Sequence, residues 1–195
     1  MNQHAENMKN ALIGYKDLRD KANAQIKSIT DTYGKEAGEA ETRIQNKKLE
    51  SARAAAVDTI TKAGSAGYKE AEAWGRMDGS KLTDDVKLLD NDLVDSTEFD
   101  RLKDKYKDNA TMLAVLKKYG ERQNNSSVKK AGSFEVRDIL TGEDKMKKWE
   151  KAQAQAFDLL DAMDGNGKYA NPDDWGAAFN VAAMPETLEH FGENL

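Results

Sequence analysis

No proline occurs before position 172, and across the first quarter of the chain apolar residues recur every eleven positions. Ala11, Tyr15 and Leu18 are followed by Ala22, Ile26 and Ile29, then by Tyr33, Ala37 and Ala40, then by Ile44. Eleven residues over three turns is about 3.67 per turn, which keeps one narrow apolar face in line along a nearly straight helix. A stripe that narrow needs a partner helix to cover it, from the same chain or another copy. Residues 5–62 are otherwise rich in Gln, Glu, Lys, Arg and Ala, which are good helix formers.

Gly34 and Gly38 interrupt this segment, and each costs roughly 1 kcal/mol relative to alanine inside a helix. Two readings stay open. Tyr33-Gly34 ends one helix and begins a hairpin, or Gly34, Ala37, Gly38 and Ala40 form a small-residue patch where another helix crosses closely. The eleven-residue phase passes through both glycines without slipping, which favours one continuous helix.

Gly64-Ser65-Ala66-Gly67 reads as the next break, followed by a short helix from Tyr68 to Met77. Short capped helices come after it. Thr83 precedes Asp84-Asp85-Val86, Ser96 precedes Thr97-Glu98-Phe99, and Asn109 precedes Ala110, with Gly120 as a stop. Residues 123–133 are nearly devoid of apolar side chains and read as a linker. Phe134, Val136 and Ile139 suggest a short strand or turn, and Thr141 opens a helix through Met163 that ends at Asp164-Gly165-Asn166-Gly167. The fold class expected is all-α. Its four segments are a long helical arm (1–63), a short-helix bundle (64–122), the linker, and a C-terminal helix with a loop-rich acidic tail (134–195).

Only 38% of residues are hydrophobic and 33% are charged, which suits thin helical layers better than a large enzyme core. There is no cysteine, which excludes disulfides, thiolate metal sites and cysteine nucleophiles. The two histidines, His4 and His190, stand at opposite ends, and no phosphate loop, dinucleotide fingerprint or serine elbow is present. The expectation is a non-enzymatic protein without catalytic residues, cofactor or resident metal. No signal peptide or membrane-length apolar run is evident, so the chain reads as soluble.

Asp164, Asn166, Gly167 and Asp173 fit positions three, five, six and twelve of an EF-hand calcium loop, but Ala162 stands at position one and no second loop pairs with it. A glycine-rich turn ending the helix accounts for this segment better.

The net charge of −5 is unevenly distributed. Residues 101–151 carry 14 basic and 8 acidic side chains, whereas 152–195 carry 1 basic and 8 acidic. The basic segment 101–151 is the one candidate nucleic-acid surface. Its arginines are few (Arg101, Arg122, Arg137) and its lysines alternate with acids, so a solvated surface is the simpler reading.

Leu82-Thr83-Asp84-Asp85, Leu88-Leu89, the stretch Leu102 to Tyr106, and Asn109-Ala110-Thr111-Met112 before Leu116 and Tyr119 form a succession. It resembles small helical proteins encoded among the head genes of tailed phages and prophages of Gram-positive bacteria. The resemblance covers about a fifth of the chain by motif, and the long charged helix ahead of small helical units is similar in plan to phage scaffolding and head-associated proteins. It implies a structural or assembly protein, in the host cytoplasm or the virion, that forms a homo-oligomer and contacts capsid or portal subunits. The residues expected to carry self-association are Tyr15, Leu18, Ile26, Ile29, Tyr33 and Ile44.

Overall fold

The computed structural model describes residues 2–126, 133–165 and 191–192, and among them every regular element is helical. The elements are α1 (Gln3–Tyr33), α2 (Lys35–Gly75), a 3-10 turn (Gly79–Lys81), α3 (Val86–Asp90), α4 (Ser96–Lys105), α5 (Ala110–Asn124) and α6 (Gly142–Met163). They fall into two compact units. One comprises residues 1–67 and 148–195, the other residues 68–147. Residues 134–195, one segment in sequence terms, therefore divide between the two units.

The long arm is a hairpin rather than one continuous helix. Gly34 alone separates α1 from α2, at φ +88°, a backbone conformation that costs glycine nothing and an L-residue dearly. The contacts that follow are antiparallel. Gln25 on α1 bonds Glu41 on α2, and Gly38 sits so close to Thr30 that a Cβ there would collide with the threonine hydroxyl. Apolar periodicity did not reveal the reversal, because a stripe through a hairpin and one through a rod look alike when the turn is a single residue.

The buried face of α1 also differs from the eleven-residue stripe. Ala5, Met8, Leu12, Tyr15 and Ala22 are buried, in steps of three, four, three and seven. That is a seven-residue repeat, the spacing of helices wrapped around one another. Both patterns share Tyr15 and Ala22 and part at Leu12 against Ala11, and at Arg19 against Leu18.

In this first unit α6 supplies the third helix. The ring of His4 meets Trp149 edge-on at 6.2 Å, and further along both helices Tyr15 meets Asp164, so α6 runs parallel to α1. Against α2 it runs antiparallel: Gly67 lies against Trp149, Gly64 against Gln153, and Arg53 against Asp161 and Asp164. The predicted break at Gly64–Gly67 is absent. Both glycines lie inside α2, where they admit the side chains of α6. What reads as a helix breaker is a close-packing surface, and the short helix expected from Tyr68 is the end of α2.

The second unit is held by Leu89, Phe99, Leu102, Met112, Leu116, Tyr119, Phe134 and Ile139, all buried. Phe99, Tyr119 and Phe134 pack mutually with centroids 5.2–6.2 Å apart. Gly120, expected to stop α5, instead lies within it and faces this aromatic group, where a side chain would strike Val136 and come within 3.0 Å of Phe99. The helix continues to Asn124, whose amide donates to the Phe134 carbonyl and accepts from the Phe134 amide, at 2.8 and 2.9 Å. The first two residues of the expected linker are therefore helical. Of the strand or turn expected at Phe134–Ile139 the turn forms, with the Ile139 amide donating to the Val136 carbonyl at 3.1 Å, and Phe134 and Ile139 are buried.

Four helix starts obey capping chemistry, the first being α1, where Asn2 accepts from the His4 amide at 2.8 Å. Asn109 accepts from the Met112 amide as expected, whereas α4 is capped by Asp95 rather than Ser96, its carboxylate accepting from the Glu98 amide at 2.8 Å. Thr83 makes no side-chain cap on α3. Its hydroxyl instead hydrogen-bonds that of Tyr106 at 2.6 Å. At the start of α6, Thr141 and Asp144 satisfy one another's backbone amides, at 2.9 and 3.3 Å.

Candidate functional site

The expected self-association residues separate into two groups. Tyr15 is taken up within the first unit. It is buried, and its hydroxyl donates to Asp164 at 2.5 Å. Burial, and then this bond, push the Tyr15 pKa up to about 12. Leu18, Tyr33 and Ile44 are 50%, 72% and 51% exposed, and Ile26 and Ile29 are half-buried. These exposed side chains are spaced along the hairpin, where a second helical surface could cover them.

Around Asp164 the first unit carries a compact ionic cluster. The Arg53 guanidinium donates from Nε to Asp164 at 2.7 Å and from Nη2 to Asp161, and Arg19 lies 3.9 Å from Asp164. The hydrogen bond to Asp164 raises the Arg53 pKa further. Three helices thus meet at one carboxylate just after the last residue of α6. The cluster was not anticipated, because Arg53 and Asp164 are 111 positions apart and each is an ordinary charged residue in sequence. Asp164 is also the first carboxylate of the candidate calcium loop. Asn166, Gly167 and Asp173 lie outside the described residues. Among the described residues no group of three or more metal-ligating side chains is assembled.

Nearer the hairpin turn, Glu41 Oε1 accepts from Gln25 at 2.7 Å and from Gln45 at 2.5 Å, and Gln45 is buried. This polar layer between α1 and α2 was missed as well. Gln and Glu look the same on a seam as on a solvated face. Buried polar residues of this kind fix the register of paired helices at some cost in stability.

In the second unit many basic side chains of segment 101–151 have acidic partners. Lys103 holds Asp100 and Asp138 at 3.1 and 3.0 Å, Lys105 holds Asp85 at 2.7 Å, and Arg122 holds Asp92 at 3.0 Å. Lys117 holds Asp144 at 2.6 Å. Burial works to raise the Asp144 pKa, but Lys117 and the Thr141 donors outweigh it and hold it down to about 2. The ammonium of Lys145 rests 3.4 Å from the Trp74 ring centre. Trp74, Lys103, Lys107, Asp138 and Lys145 line an open cleft of about 560 Å³ whose rim mixes both signs of charge. Lys129 and Lys130 lie outside the described residues. A lysine already matched by a carboxylate has little to offer a phosphate backbone.

No helix among the described residues is long and apolar enough to cross a membrane. The chain matches no known family, and it is similar to no curated protein and no solved structure.

Proposed function

We propose that this is a non-enzymatic structural or assembly protein that works by helix-mediated self-association, of the scaffolding or head-associated kind suggested by its resemblance to phage and prophage proteins. The observation that carries this reading is the outward apolar surface of the hairpin, with Leu18, Tyr33 and Ile44 half-exposed or more. Covering the exposed half of Leu18 or Ile44 contributes about 1 kcal/mol each, and a second helical surface supplies that burial without any chemistry. The paired lysines of the second unit count against the rival reading, nucleic-acid binding through 101–151. The test is the molecular mass in solution of the wild-type chain and of Leu18→Glu/Ile44→Glu. The wild type forms a dimer or larger assembly and the double variant loses it. A double variant that associates as the wild type does would remove the hairpin surface from the account.

A further inference from the structure

We propose that Gly34 is a hinge at which α1 exchanges between two copies of this chain, so that the antiparallel seam seen within one chain forms between two. The inference rests on the reading that the chain self-associates, but it uses the seam of α1 with α2 and α6 rather than the exposed Leu18, Tyr33 and Ile44.

The turn is a single residue, whereas connections between packed helices ordinarily take 2–8 residues. Gly34 already makes helical bonds on both sides. Its amide donates to the Thr30 carbonyl at 2.9 Å and its carbonyl accepts from the Gly38 amide at 3.1 Å. One residue's dihedral angles therefore separate the hairpin from a continuous helix spanning α1 and α2. Straightening gives the amides of Lys35, Glu36 and Ala37 the carbonyls of Asp31, Thr32 and Tyr33, partners that a helix start in a hairpin cannot offer.

A straightened chain loses every contact of α1 with α2 and α6, so it is stable only if another copy restores them. A second copy of this chain can supply them all. The seam is antiparallel about Gly34, with Gln25 opposite Glu41 and Thr30 opposite Gly38, and two straightened chains related by a twofold axis at the hinge present the same pairs to one another. Tyr15 then bonds Asp164 of the other chain. The dimer is closed and reuses an existing interface, which is what makes exchange of an element a low-cost route to dimers. A short, constrained hinge favours it.

The experiment uses the full chain and three variants. Gly34→Ala penalises the hairpin through its φ of +88° and not through a clash, since no atom lies within 4 Å of the added Cβ. It is expected to lower the concentration at which half the chains are dimeric by about tenfold or more. Inserting Gly-Ser-Gly-Ser after Gly34 relieves the turn and is expected to shift the same midpoint upward by a similar factor. Gln25→Cys/Glu41→Cys adds two thiols to a chain that has none, and a short thiol cross-linker reports which chains they belong to. Exchange predicts a covalent dimer on a denaturing gel from the dimer fraction, with the monomer fraction linked internally. A dimer whose cross-links are all internal overturns the exchange and leaves self-association by another surface standing. A monomer in every variant overturns both. Should Gly34→Ala fail to fold, the insertion and the cross-link still decide.

Discussion

The hydroxyl of Tyr15 on α1 donates a 2.5 Å hydrogen bond to the carboxylate of Asp164, 149 positions away and one residue beyond the end of α6. Hydrogen bonds to a charged group contribute roughly 1.5–3 kcal/mol when formed. Tyr15→Phe leaves Asp164 its bond from Arg53, so we expect a loss toward the low end of that range, about 1.5–2 kcal/mol, in a denaturant titration. The tyrosine pKa is raised from 10.0 to about 12. Its contribution is therefore complete below pH 10 and is lost as pH rises toward 12, and the phenylalanine variant lacks that alkaline loss.

Asp144 gives the opposite sign. Its pKa is lowered from 3.8 to about 2, so its contribution is present above pH 4 and disappears as pH falls toward 2. Asp144→Asn is expected to be less stable than the wild type at neutral pH, with the difference closing over that window. A difference that stays constant down to pH 2 would mean that the Lys117 pair and the Thr141 cap do not act through the charge.

Two glycines inside helices should respond to alanine in opposite directions. Gly14 has nothing within 4 Å of a new Cβ, so Gly14→Ala gains helix propensity and stabilises by about 0.5–1 kcal/mol. At Gly67 the new methyl strikes the Trp149 indole. The same propensity gain is outweighed there by overpacking, at about 1–3 kcal/mol, and the variant melts lower.

Gly120→Ala tests the aromatic core of the second unit. Its Cβ strikes Val136 and comes within 3.0 Å of the Phe99 ring, with Phe134 at 3.4 Å. We expect a net loss of about 1–2 kcal/mol despite the better helix former. A neutral or stabilised variant would show that Val136, in irregular chain, yields freely.

The helical class, the Asn109 cap and the helix opening at Thr141 were legible because each rests on local chemistry within about one turn. The errors share a cause. Gly64, Gly67 and Gly120 read as breakers by propensity, yet each is required by a side chain from a distant part of the sequence: Gln153, Trp149 and Val136. The seven-residue burial of α1 was hidden because Leu18, apolar and at a matching interval, is half-exposed, while Arg19 holds the seam position and turns toward Asp164. Of the stripe residues, Leu18, Tyr33 and Ile44 are exposed, Ile26 and Ile29 are half-buried, and Tyr15 is taken up within the chain. The Arg53–Asp164 cluster and the Gln25–Glu41–Gln45 layer were not legible, because helical periodicity says nothing about which polar residues meet.

Self-association is the claim on which the functional account stands, and light scattering of the wild-type chain across a wide concentration range tests it most directly. The account predicts a mass that rises with concentration to at least twice the 21.6 kDa of one chain. A mass that stays at one chain throughout would contradict it.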